Sequence, residues 1–264
     1  MKFLRYAVCA AVALSGVDAA AAACPPRSAI AEYVFGGGLC MAATTFGTES
    51  AGAAPILIVV VHGDISDGGA ATYHADFART LARPGVIAVA LIRPGYAGGD
   101  GRRSQGSNYG RTDSYTAATV SAIGGAIDAL RRHYRPRRVI YVGHSGGAAI
   151  GGVLIGKRPK LIDAAVLVSC PCDIARWLAE RRRPQWTRSL SPAHHLHRVA
   201  MSTQVVAITG AADDNTPPHL AQDYAARLAG RGVRARFEAV AGAGHGFSGV
   251  RTATQATIEE IIGR

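Results

Sequence analysis

The chain has 264 residues, enough for one large domain or two small ones, and 48% of them are hydrophobic, enough to bury a sizeable core. Only 6% are aromatic, so the interior is expected to be built from Val, Ile, Leu and Ala. The formal charge is +11 at pH 7, yet the arginines at Arg131/Arg132, Arg137/Arg138 and Arg181 to Arg183 carry no interleaved aromatics and no nucleic-acid motif. They read as a solvated surface, with attraction to anionic surfaces or acidic substrates as the second reading.

The N-terminus has the three parts of a secretory signal. Lys2 and Arg5 form a basic start, Tyr6 to Leu14 an apolar core, and Ala19 to Ala23 a small-residue tract. Cleavage is expected within Ala21 to Ala23, which makes residues 1–23 a signal peptide and 24–264 the mature domain. The apolar core is too short to span a membrane, and no transmembrane segment is expected after cleavage. The destination is periplasmic or secreted. A lipid anchor on Cys24 is the second reading, weakened because only alanines precede it. An ordinary N-terminal helix is the bland alternative.

Next come short apolar runs alternating with helical patterns. Strands are expected over Leu39 to Phe46, Ile56 to His62, Val86 to Ile92, Val139 to Val142, Ala164 to Ser169, Gln204 to Thr209 and Arg234 to Ala239. Runs such as Ile56-Leu57-Ile58-Val59-Val60-Val61 are apolar throughout, as in strands buried on both faces of a parallel sheet. Helices are expected over Tyr73 to Ala82, Asp113 to Tyr134 with Thr112 as N-cap, Ala148 to Ile155, Pro218 to Leu228 capped by Thr216-Pro217, and Gly249 to Ile262. The alternation implies an α/β chain with a mostly parallel sheet and helices on both faces.

Two stretches break the rhythm. Residues 96–111, after a strand, are rich in Gly, Ser, Asn and Arg; they form a surface loop or shape one side of a site through Tyr109 or Arg111. Residues 171–201 are too long for a simple connection and hold both tryptophans, Trp177 and Trp186. They make a small lid that contributes to substrate binding, or a helix plus a surface loop.

The chemistry centres on Gly143-His144-Ser145-Gly146-Gly147, a G-x-S-x-G between an apolar strand and a small-residue helix. That is the setting of a nucleophile elbow. Ser145 would be the nucleophile. His245, in Gly244-His245-Gly246 after the last strand, would be its base. Asp213 or Asp214, in the turn after Gln204 to Thr209, would orient that base. The backbone N–H groups of Gly146 and Asp64 would form the oxyanion hole, with Ile65 as a fallback for Asp64. A carboxylate at position 64 hinders an oxyanion unless its side chain turns away. His144 is a candidate for substrate contact, while His62 is expected to bond within its own loop. His194-His195-x-His197 invites a metal reading, but no acidic or thiol partner lies at ligand spacing, so no metal and no cofactor are implied.

Cys24, Cys40, Cys170 and Cys172 remain after cleavage, and four cysteines allow three pairings. Cys24–Cys40 and Cys170–Cys172 are expected; the alternatives carry the N-terminal cysteines to the Cys170 turn, place four thiolates on zinc, or make Cys170-Pro171-Cys172 a redox site.

The motifs His62-Gly63, Arg93-Pro94-Gly95-Tyr96, Gly143 to Gly147, Gly210-x-x-Asp213-x-x-Thr216-Pro217 and Gly244-His245-Gly246 together resemble the α/β-hydrolase family, in its serine esterase, dienelactone hydrolase or prolyl-oligopeptidase-like branch. The resemblance runs from about Ile56 to Ile262. It implies the α/β-hydrolase fold, a Ser-Asp-His triad and Asp213 as the usual acid. The expected function is hydrolysis of a small-molecule carboxylic ester through an acyl-enzyme. A prolyl-oligopeptidase-type peptidase and a catalytically silent binding fold are the alternatives.

Overall fold

A computed structural model of the protein describes residue 24 and residues 30–263. The expected signal peptide lies outside the described residues. An eight-stranded sheet runs in the order β1-β2-β4-β3-β5-β6-β7-β8. Its strands are β1 (Tyr33–Gly36), β2 (Leu39–Phe46), β3 (Ile56–Val61), β4 (Val86–Leu91), β5 (Arg138–His144), β6 (Ala164–Val168), β7 (Gln204–Gly210) and β8 (Arg234–Val240). The pairs β1–β2 and β2–β4 are antiparallel; every other pair is parallel.

Among the described residues there are seven α-helices: α1 (Tyr73–Leu81), α2 (Ala117–Tyr134), α3 (Gly146–Lys157), α4 (Ile174–Glu180), α5 (Pro192–His195), α6 (Pro218–Ala229) and α7 (Phe247–Gly263). The pleat of β3 divides the core. Leu57, Val59 and Val61 pack with residues of α2, α3, α4 and α6 on one face. Ile56, Ile58 and Val60 pack with α1 and α7 on the other. Side chains alternate across a strand, so a continuous apolar run is what burial on both faces demands.

Three elements differ from the sequence expectation. β1 is an additional strand, joined to β2 through Gly37-Gly38, whose positive φ angles of 55° and 84° suit a two-residue hairpin turn. α2 begins at Ala117, and its cap is Thr116, whose hydroxyl accepts from Thr119 N–H at 3.2 Å. Thr112 does not cap it, because Asp113 is drawn away: its carboxylate accepts from the N–H groups of Arg188 and Ser189. Thr216 does not cap α6 either; Pro217 occupies that position without a side-chain bond. The Thr216 hydroxyl lies instead against the Ser169 carbonyl and the Asp213 carboxylate.

The segment 171–201 holds α4, α5 and a 3-10 turn at Leu196–Arg198. It is stitched to residues 113–116 by the Asp113 bonds, by Leu190 N–H to the Tyr115 carbonyl, and by a Thr116–Ser189 bridge. Disulfides join Cys24 to Cys40 and Cys170 to Cys172. Among the described residues no helix is long and apolar enough to cross a membrane.

Candidate active site

The carboxyl ends of β3, β5, β7 and β8 converge, the place where open α/β sheets form their sites. β5 ends in the sharp turn into α3. Ser145 sits at its apex with φ 51° and ψ −114°, a strained conformation for a residue with a Cβ. Its N–H is held by the Val168 carbonyl at 2.8 Å. The turn closes only because the flanking residues lack side chains. A Cβ on Gly143 would sit 2.5 Å from the Gly147 carbonyl, and one on Gly147 would sit 2.4 Å from that of Val61.

A continuous hydrogen-bonded chain runs out from this apex. Ser145 Oγ lies 3.1 Å from His245 Nε2. His245 Nδ1 lies 2.9 Å and 3.1 Å from the two carboxylate oxygens of Asp213. The Asp213 carboxylate also accepts from the N–H groups of Asn215 and Thr216 and from the Thr216 hydroxyl. Burial alone would raise its pKa; His245 and the Thr216 bonds outweigh burial and hold the carboxyl below its usual range. Asp213 is 3% exposed whereas its neighbour Asp214 faces solvent, so the geometry places Asp213 rather than Asp214 beside the imidazole.

His144 is committed inside the protein. Tyr73 OH donates to its Nδ1 at 2.8 Å and itself accepts from Gly63 N–H, while Nε2 donates to the His245 carbonyl at 3.0 Å. The ring is therefore a strut between the turn after β3 and the loop after β8. Burial, and then the nearby His245, lower its pKa to about 4, so it stays neutral at pH 7. His62 donates from Nδ1 to the Gly63 carbonyl and accepts from Arg93 N–H at Nε2. Its bond to Gly63 is the loop bond the sequence suggests.

Of the two expected oxyanion donors, Gly146 follows the serine directly, and Asp64 follows Gly63, on which a Cβ would lie 2.9 Å from Ser145 Cβ. Gly146 opens α3, whose first N–H groups have no intrahelical partner. Asp64 follows the His62-Gly63 turn, and its carboxylate is turned away into the protein. Arg93 and the Tyr96 hydroxyl bond one oxygen at 2.9 Å and 2.7 Å, and the Tyr115 hydroxyl bonds the other at 2.8 Å. Sequence reasoning did not find Arg93 and Tyr115 as site residues; the Arg93-Pro94-Gly95-Tyr96 motif was the available signal.

Trp177 donates from its indole to the Asn215 carbonyl, beside Asp213, and packs edge-on against Trp186 at 5.4 Å. Trp186 packs edge-on against Tyr115, also at 5.4 Å. Tyr109 lies under the Arg188 guanidinium, 4.4 Å from the ring centre. The Arg111 guanidinium caps the Ile65 carbonyl. The His194-His195-x-His197 run lies on α5 and the turn after it. Among the described residues no three His, Cys, Asp or Glu side chains converge as a metal site would require.

The sequence profile of the prolyl oligopeptidase family matches residues 80–261. No curated protein matches the sequence. Among solved structures, the chain is similar to Est1E from Butyrivibrio proteoclasticus, with 13% identity, 88% of this chain and 98% of that one covered, and a TM-score of 0.64. It is similar to a thermophilic esterase from Thermogutta terrifontis, with 17% identity, coverage of 85% and 86%, and a TM-score of 0.62. It is also similar to an acylaminoacyl peptidase from Pyrococcus horikoshii, with 13% identity and a TM-score of 0.63, over 83% of this chain and 39% of the peptidase. At these identities the likeness establishes the α/β-hydrolase fold.

Proposed function

The chain belongs to the prolyl oligopeptidase family and is a serine hydrolase of the α/β-hydrolase fold, and from that premise we propose that it cleaves small carboxylic esters through an acyl-enzyme on Ser145. The observation that carries this reading is the unbroken chain from Ser145 Oγ through His245 to a buried Asp213.

Ser145 Oγ attacks the acyl carbon as His245 Nε2 takes its proton. Asp213 accepts from Nδ1–H, fixes that tautomer and stabilises the imidazolium. The N–H groups of Gly146 and Asp64 take the developing oxyanion, each donor being worth about 3 kcal/mol in the transition state. His245 returns the proton to the leaving alcohol as the ester C–O bond breaks. Water then repeats the attack on the acyl-serine, again with His245 as base.

The ester reading is supported by the likeness to the two esterases named above.

Export is supported by the signal-like residues 1–23 and by two disulfides, which persist in oxidising compartments. Pairing with Cys40 takes up the Cys24 sulfur that a lipid thioether would need.

The test is hydrolysis of a p-nitrophenyl ester series by the mature protein beside Ser145→Ala. Turnover lost in the variant, with the chain-length optimum sizing the acyl pocket, is expected. A folded wild-type protein that neither turns over an ester nor reacts with a fluorophosphonate probe would promote the binding-fold alternative. Labelling without ester turnover would favour a peptidase.

A further inference from the structure

The residues that supply the two oxyanion N–H groups rest on the same pair of buried side chains. Asp64 does so through hydrogen bonds: Arg93 Nη1 at 2.9 Å on one oxygen and Tyr115 OH at 2.8 Å on the other. Gly146 does so by close packing. A Cβ placed there would lie 2.7 Å from Arg93 Nη1, 2.8 Å from Tyr115 Cε1 and 3.0 Å from the Tyr115 oxygen. Gly146 therefore sits on the Arg93–Tyr115 surface with no room for even a methyl group. Arg93 is further fixed, because its own N–H bonds His62 Nε2 and its Nη2 reaches the Ser114 hydroxyl.

We propose that Arg93 and Tyr115 form a platform that sets the spacing and aim of the oxyanion hole, with the Asp64 carboxylate as the clamp that seats the Gly63–Asp64 peptide on it. The inference rests on the serine-hydrolase reading of Ser145. Arg93, Tyr115 and the Asp64 side chain are positioning residues; the substrate meets only the two N–H groups.

The physical argument has three steps. A carboxylate receiving three charged or phenolic donors is held in place, which anchors the Asp64 Cα and restrains the peptide N–H attached to it. Oxyanion donors act only when aimed at the place where charge develops, within a few tenths of an ångström. Arg93 and Tyr115 are also each held in one ionisation state. Burial works against the Arg93 charge, but Asp64 and the surrounding phenols outweigh it and raise its pKa. Burial, and then the Asp64 charge, push the Tyr115 phenol well up, so it remains a donor. The carboxylate of Asp64 is thus taken up by internal donors and put to use as an anchor.

The experiment uses the mature protein and compares wild type, Ser145→Ala, Tyr115→Phe and Asp64→Asn. Tyr115→Phe keeps the ring and the Arg93–Asp64 pair and removes one bond. Asp64→Asn leaves Arg93 buried without its counter-charge and is the variant more apt to lose its fold; if it does, Tyr115→Phe decides. The first readout is the second-order rate of labelling by a fluorophosphonate, whose phosphoryl oxygen enters the same hole. The second is the kcat and KM of a p-nitrophenyl ester. The expected result is labelling and kcat lowered about 5- to 10-fold in Tyr115→Phe and about 100-fold in Asp64→Asn, with KM within about twofold of wild type. Labelling and kcat within about twofold of wild type in folded Tyr115→Phe would overturn the platform while leaving the serine hydrolase standing. A rise in KM with kcat unchanged would overturn it as well, since that signature belongs to ground-state binding. No labelling of the wild type would overturn the serine-hydrolase reading and the platform together.

Discussion

His74 is fully buried on α1, and neither of its ring nitrogens has a hydrogen-bond partner. Burial lowers its pKa to about 3; burial and then His245 lower that of His144 to about 4, and burial lowers that of His62. In the unfolded chain these imidazoles take up protons below about pH 6.5, while in the folded protein His74 and His144 do so only near 3 and 4. The unfolded state thus binds more protons in between, and stability falls as pH drops below about 6.5. Each buried histidine should cost on the order of 2 kcal/mol between pH 6.5 and pH 5. Urea midpoints measured at pH 7 and pH 5 should differ accordingly. His74→Phe should leave stability at pH 7 equal or higher and make the pH dependence shallower; an unchanged slope would contradict this. Asp213→Asn should lower kcat by about 10⁴-fold with the fold intact, whereas Asp214→Asn should leave it within a few-fold. The choice between Asp213 and Asp214 shows where sequence reasoning stops. Both lie in one turn at the right place in the chain, and only the bond from His245 Nδ1 separates them. The spacing of a family motif favours the first, but the physical reason is burial.

At the scale of elements, the elbow was legible because its constraints are local. An apolar strand, a glycine on each side of Ser145 and a small-residue helix follow from steric contacts within a few residues and with the adjacent strand. Gly147→Ala drives a methyl group into the Val61 carbonyl and should cost about 3 kcal/mol or more in chemical denaturation. A loss under about 1 kcal/mol would mean that the turn has slack the geometry does not suggest. The start of α2 was less legible for the opposite reason. Thr112-Asp113 reads as a helix start, yet Asp113 has partners 75 and 76 residues away in Arg188 and Ser189, and the helix opens four residues later than expected. A capping bond of about 1 kcal/mol yields to three or four bonds made elsewhere. Thr216 is displaced from capping α6 in the same way, by Ser169 and Asp213.

Across the whole molecule, the segment 171–201 acts as an arch. Tyr115, Trp186, Trp177 and Asn215 run in contact from the Asp64 carboxylate to the loop that carries Asp213. Trp186→Ala should remove about 3 kcal/mol of stability and lower kcat several-fold, because it removes the ring that packs against both Tyr115 and Trp177. Cys40→Ser should cost about 3 kcal/mol, the chain-entropy value for a loop of 16 residues, read as a shift of the urea midpoint. The sequence by itself determined the seven strands it names, the two-faced helical cover and the Ser-Asp-His order. Those features follow from periodicity, local sterics and spacing, which are written along the chain. Only the tertiary structure decided that β1 joins the sheet, that α2 opens at Ala117, that Asp214 stands aside and that the Asp64 carboxylate meets Arg93 and Tyr115. These outcomes depend on which groups from distant segments are buried together, and no local propensity encodes the partner a buried charge will find.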